Sequence, residues 1–420
     1  MRRTPAIAAL ALVALAAAAC SSGSSTSSTP SSSSGGTVDF YSSLPMQGAS
    51  SAQTIPLVNG IKLALAQAGG KAGQWTVNYQ SLDDATAALG KWDPGQCAAN
   101  ARKAASDPKA VIYLGEFNSG CSEVSIPILN TAGIPQVSPA NTYVGLTTNL
   151  PGSAPGEPQK YYPTGVRTYL RIVPIDNIQG AAGLIAMKNA GCTKVALAND
   201  KEAYGAGLAT DLELEKGFYG VTVTSNTGID PTAPNFRAYA STIAGQGADC
   251  FYFAGLVATG AVQLAKDVHS AIPTAKIFGG DGVCTDSYTN AAKGGVPAAI
   301  APLIECTVPT QDLHSYPGGK DFLAAYQAKY GVANPDPYSI YGYEAMKLAL
   351  DTIASLGAQG NSKSAVLHAL FAIKARQSVL GTYGFNAKGD TTLKAFGLYK
   401  VGSNGELVFF QSITPTKVTT

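Results

Sequence analysis

The chain predicts an α/β fold of two doubly wound parallel-sheet lobes joined as a clamshell, and three observations carry that prediction. Short apolar strands alternate with amphipathic helices from Thr37 onward, the pattern that builds parallel sheets. The alternation breaks at a Pro/Gly-rich insertion over residues 149–165, then restarts in the same form. The chain has 420 residues, enough for two domains with cores of their own.

In the first lobe, residues 37–44 (TVDFYSSL) read as a strand and 58–70 as a helix. Ile61, Leu65 and Ala68 recur there at helical spacing, and Gly69-Gly70 ends it. Strand 75–84, helix 97–107, strand 110–117, helix 122–133 and strand 134–142 follow. After the insertion, 168–174 leads into the second lobe. That lobe takes helix 177–191, strand 193–200, helix 205–218, strand 221–228, helix 235–247 and strand 250–256. Helix 260–271, strand 276–282, helix 286–294 and strand 299–308 complete it. Three later helices, 322–331, 339–357 and 363–375, are placed back on the first lobe, and strands within 380–413 close the chain. The expected organisation is therefore 37–168 plus 311–383 for the first lobe and 169–310 plus 384–420 for the second.

The N-terminus carries an address. Arg2 and Arg3 precede a short apolar run over residues 6–19, and small residues lead into Cys20. This is a secretory signal over residues 1–19, too short to serve comfortably as a mature membrane span. Ending on cysteine, it resembles a bacterial lipoprotein signal, with Cys20 as the lipid acceptor. Residues 20–36 are Ser-rich, with nothing apolar to bury, and read as a tether. The expectation is an exported lipoprotein on the extracytoplasmic face of the cell membrane, held by its lipid alone.

Charge excludes other classes. Without Arg2 and Arg3, the 29 basic residues become 27, equal to the 27 acidic ones, so no basic stripe for nucleic acid is expected. Six cysteines remain beside Cys20, an even number that in an exported protein suggests disulfides. Cys97 and Cys121 stand near the starts of two helices of one lobe. Cys192 and Cys250 precede strands expected to be neighbours, and Cys284 and Cys306 bracket one helix and strand. Those are the three expected pairs. Metal is not expected: no two cysteines have close zinc spacing, and only His269, His314 and His368 are available. No cofactor is expected either.

Open α/β sheets bind ligands beyond the carboxyl ends of their strands, so two facing sheets would share a cleft there. The loops at those ends are GEFNSG, SPANT, NDKEAYG, AGLVATG and GGDGVC. In order, they resemble the leucine/isoleucine/valine-binding family of solute receptors for ABC transporters, with the type I periplasmic-binding-protein fold. The stretches that carry the resemblance are NDKEAYGAGLA at 199–209, SPANT at 138–142 and DPYSIYGYEAMKLAL at 336–350; it extends over residues 37–420.

The resemblance implies a monomer, not an enzyme, that grips an amino acid, branched-chain or similarly aliphatic, and passes it to a transporter permease. The residues agree with it. Ser119 in a strand-to-helix turn suits a carboxylate, since unpaired N–H groups and the helix dipole favour negative charge there; a plain N-cap is the alternative. Ala140 offers backbone groups beside it, and Thr142 a hydroxyl. Asp281, flanked by glycines, suits an ammonium, against a simple turn or cap. Tyr204 and Tyr338 match aromatic positions lining the cleft, giving broad apolar contact with one polar tip. Leu256-Val257 stand where the family often has aromatics, and the loop SSLPMQGASSAQT is longer than usual; both bear on which ligand is bound. Amides, urea and aromatic acids are the alternative ligands, and a signalling partner is the alternative to a permease. A hydrolase would need a histidine near Ser119, and none stands in a strand-end loop. Gly205-Ala206-Gly207 lacks the third glycine of a dinucleotide motif.

Overall fold

The computed structural model describes residues 35–419; the expected signal and Cys20 lie outside them. The strands assemble into two main sheets because their sequences are apolar on both faces, as sheets covered by helices on each side require. The first has six strands, in the order 71–72, 75–83, 37–44, 110–115, 136–138 and 169–171. Its central pairs are parallel, with Phe40 opposite Tyr79 on one side and Ile112 on the other. The second sheet has seven strands, in the order 222–228, 194–199, 250–254, 276–279, 304–308, 396–401 and 407–413. The first five of these run parallel, and the last two join antiparallel at the edge.

Tyr169–Arg171 pairs in parallel with Gln136–Ser138. This strand therefore completes the first sheet, beyond the boundary expected at residue 168. The chain then passes to the second sheet, returns after Ile304–Val308 and crosses again before Phe396–Val401, which makes three connections. Three readings of elements are corrected. Residues 286–294 form one helical turn, Asp286–Thr289, and a separate 3-10 turn, Ala291–Lys293. Only Ile304–Val308 of the 299–308 segment is strand, since Pro302 sits in a 3-10 turn just before it. The first helix begins at Ser51, seven residues earlier than its periodicity suggests, because Pro56 is accommodated within its early turns.

Each sheet is sandwiched by helices. In the first lobe, Ser51–Gln67 lies against Tyr338–Ser355, and glycines set the approach. A Cβ at Gly60 would strike the Ser339 carbonyl oxygen, and one at Gly342 would strike that of Leu57. Val38, Phe40, Leu57, Ile61, Ile340 and Leu348 fill the core between them. The second sheet has apolar clusters on both faces, around Leu197, Leu208 and Tyr252 on one and Phe251, Phe253 and Leu264 on the other. The three disulfides join Cys97 to Cys121, Cys192 to Cys250 and Cys284 to Cys306, as the cysteine placement indicated. Among the described residues no helix is long and apolar enough to cross a membrane.

Candidate ligand cleft between the two lobes

Five of the expected residues, Ser119, Ala140, Thr142, Tyr204 and Asp281, line one small hollow between the sheets, together with Phe117, Glu202 and Leu256. All of them stand within a few residues of a strand's carboxyl end, where the backbone leaves the sheet and its groups face outward. The hollow measures about 20 Å³, room for about one water molecule. Tyr338 stands beside it, its ring edge-on to Phe117 at 5.1 Å between centroids.

The first lobe supplies unclaimed donors. Ser119 is the first residue of the Ser119–Thr131 helix, and the helix bonds of its first turn start from Cys121 and Ser122, which donate to Asn118 O. The N–H groups of Ser119 and Gly120 thus have no protein acceptor among the described residues, at the positive end of a helix dipole. The neighbouring loop is held rigidly. Ser138 Oγ accepts from the amides of Ala140 and Asn141 at 3.1 and 2.8 Å, so Ala140 has only its carbonyl to offer. Asn141 Nδ2 donates to Phe117 O at 2.7 Å, tying this loop to the helix start. Arg171, fully buried, donates to the carbonyls of Asn141 and Tyr143 and pairs with Asp390 at 2.9 Å. The chain crossings and the Thr142 loop are therefore braced by one guanidinium.

The second lobe supplies an acid. Asp281 follows the Lys276–Gly279 strand directly and is buried. Its Oδ1 accepts from Tyr204 Oη at 2.8 Å and from Gln179 Nε2 at 2.9 Å, and its Oδ2 from Tyr338 Oη at 2.9 Å. Burial pushes its pKa upward, while the bonds from Gln179 and the two tyrosines hold it down. The tyrosines were expected to line the cleft with their rings; the structure commits their hydroxyls to Asp281. Tyr338 comes from the first lobe, so this bond already crosses the gap.

A second crossing contact was not foreseen. Lys91 and Trp92, in a two-residue strand paired with Ala85–Thr86, reach from the first lobe to Glu202 on the second. The Lys91 ammonium pairs with Glu202 Oε1, and Trp92 Nε1 donates to Glu202 Oε2 at 3.0 Å. The Trp92 ring also lies over Gly120, where a Cβ would collide with it. Gln179, too, escaped the reading, since it sits inside a helix without a motif. The 149–165 insertion folds onto the first lobe around Glu157, which accepts from Tyr143 Oη at 2.6 Å and Tyr161 Oη at 2.5 Å. Two clusters of cysteine and acid, at Asp84 and Asp249, each contain a disulfide, whose sulfurs are not free thiolates for a metal.

Comparison with known proteins places the chain among relatives of one family. A family model described as periplasmic binding protein matches residues 42–406. An amino acid binding protein of Pseudomonas aeruginosa is 26% identical over 343 residues, which cover 81% of this chain and 82% of that protein. The Leu/Ile/Val-binding protein BraC3 of Rhizobium johnstonii is 27% identical, covering 85% and 89%. Among solved structures, a leucine binding protein, LivK, of Thermotoga maritima superposes with a TM-score of 0.75 at 23% identity, covering 90% of this chain and 99% of that one. A solute binding protein from R. palustris in complex with benzoate gives 0.71 at 19% identity, covering 91% and 99%. These likenesses bear out the two-lobe fold.

Proposed function

Because the chain belongs to the periplasmic binding protein family, we propose that it captures an amino acid, branched-chain or similarly aliphatic, between its lobes and delivers it to an ABC transporter. It binds its solute without transforming it. One observation carries the reading: two unclaimed amides at a helix start on one lobe face a buried carboxylate on the other, across one hollow. An amino acid presents the matching pair of charges. Its carboxylate would lie on the Ser119 turn and its ammonium on Asp281, so it favours the form in which both lobes touch it. The names of the Pseudomonas and Rhizobium relatives support the same ligand class. Neighbours crystallised with benzoate show that this fold also takes aromatic acids, but such ligands lack the cation that Asp281 suits.

The protein works outside the cytoplasm in this reading, as a monomer whose lipid on Cys20 and Ser-rich tether keep it beside its permease. Labelling with a radioactive fatty acid tests the anchor, and Cys20→Ser should abolish incorporation. For the ligand, calorimetry over the twenty amino acids should find single-site binding. Asp281→Ala should weaken it by about 2–5 kcal/mol, the cost of a desolvated ammonium left unpaired. Equal affinity in the variant would discard the role of Asp281.

A further inference from the structure

We infer that the Pro/Gly-rich insertion over residues 149–165 is a strap: anchored on the first lobe, it lays its tip against the Ala203–Tyr219 helix of the second lobe and holds the two lobes closed. The clasp stands on contacts within this chain; its consequence for solute release rests on the amino-acid reading above.

Buried groups tie the strap to the first lobe along its length. Tyr143, Glu157, Tyr161 and Tyr162 are all buried. Besides its bonds from Tyr143 and Tyr161, Glu157 Oε2 accepts from the Ala154 amide at 2.7 Å, and that amide also lies 3.1 Å from Tyr143 Oη. Tyr162 Oη donates to Leu146 O at 2.7 Å. At the far end, Asn130 accepts from the Thr164 amide at 3.0 Å and donates to Val166 O at 2.7 Å. A loop whose polar groups are bonded in this way moves with its lobe.

The tip meets the second lobe where its helix carries the least bulk. Gly207 and Asp211 lie one turn apart on a single face, and both are buried. A Cβ at Gly207 would come within 2.5 Å of the Tyr143 ring and 3.6 Å of Gly152 O, and one at Gly152 would come within 2.6 Å of Asp211 Oδ1. Gly152 has a φ of +105°, which favours glycine, so the turn and the close approach both need that residue. Ala203, at the start of the same helix, packs against the first-lobe cluster that includes Tyr143 and Tyr161. The helix is therefore covered by the first lobe from Ala203 to Asp211, beginning beside Glu202, which the Lys91–Trp92 hairpin already holds. Parting the lobes strips the strap from this face. The strap thus weights the balance toward the closed form and prolongs the stay of a solute held between the lobes.

Matched valines test this on the intact protein. Gly207→Val places a branched side chain against Tyr143 and Gly152, whereas Gly217→Val makes the same change further along the helix, where a Cβ meets nothing within 4 Å. Valine is the better helix former, so neither change weakens the helix itself. A third variant replaces residues 150–155 with two glycines, trimming the tip and adding nothing to the helix. Small-angle scattering without ligand should give a larger radius of gyration for Gly207→Val and the trimmed strap than for the parent, and the parent's value for Gly217→Val. Stopped-flow fluorescence with L-leucine should show release sped roughly tenfold in the first two, with association changed less. The trimmed protein decides the matter if valine at 207 prevents folding. Parent-like scattering from the trimmed protein, shown folded by circular dichroism, would overturn the inference, as would release unchanged in both. Failure of L-leucine to bind the parent would count against the aliphatic-ligand reading alone, and scattering would still decide the strap.

Discussion

Asp281 is poised between two demands. Burial favours its protonated form, while the hydroxyls of Tyr204 and Tyr338 and the amide of Gln179 favour the carboxylate that a ligand ammonium needs. Tyr204→Phe removes one of these donors, so the Asp281 pKa should rise further. Ligand affinity should fall by about 1–2 kcal/mol at neutral pH, and its loss on acidification should begin at higher pH than in the parent protein. Calorimetry between pH 5 and pH 8 checks this; identical pH profiles would show that Tyr204 does not tune the acid. At this scale the sequence was legible wherever a residue ended a strand. Ser119, Ala140, Thr142, Tyr204 and Asp281 meet because parallel strands deliver their carboxyl ends to one edge. Gln179 lies in the first turn of its helix, and nothing in its neighbours distinguishes a glutamine that faces an acid from one that faces water.

Among elements, the short hairpin carrying Lys91 and Trp92 has an influence beyond its size. Two-residue strands offer no period to read, so sequence alone could not place this one across the gap from Glu202. The long strands and helices differ in this respect, since their apolar runs identify them before any tertiary contact is known. Lys91 is half-hidden, and burial lowers its pKa. Its pairing with Glu202 is thus less screened than a surface ion pair, and the Trp92 bond adds to it. Glu202→Gln combined with Trp92→Ala should ease opening of the lobes and speed ligand release roughly tenfold, with association changed less. Stopped-flow fluorescence with bound ligand reads both rates. Unaltered release would show that the hairpin rests on the second lobe without holding it.

The whole molecule carries an unusual load of buried acids. Burial raises the pKa of Glu116 to about 7 and of Asp200 to about 6, and it raises Asp176 and Asp211 well above the carboxylate range, with repulsion from Asp281 adding to the first and from Asp176 and Glu215 to the second. A carboxyl whose folded pKa exceeds its unfolded value binds its proton more tightly when folded. Its contribution is complete below the unfolded pKa, near 4, and fades as pH rises toward the folded value. The unfolding midpoint should therefore be higher at pH 5.5 than at pH 8, and calorimetric scans across that window would show it; a midpoint that rises with pH would mean that these acids are ionised in the native protein. The two lobes were readable from the restart of the strand–helix pattern. The acids were not, because burial depends on which helix faces cover them. The central claim is that one small molecule is held at both ends, by the Ser119 turn and by Asp281. Titrating the protein with its best amino acid, that amino acid's N-acetyl derivative and its carboxamide tests this most directly. Each block should cost about 2 kcal/mol or more, since each leaves a desolvated group facing no counter-charge, whereas an N-acetyl derivative that binds as well as the free amino acid would contradict the account.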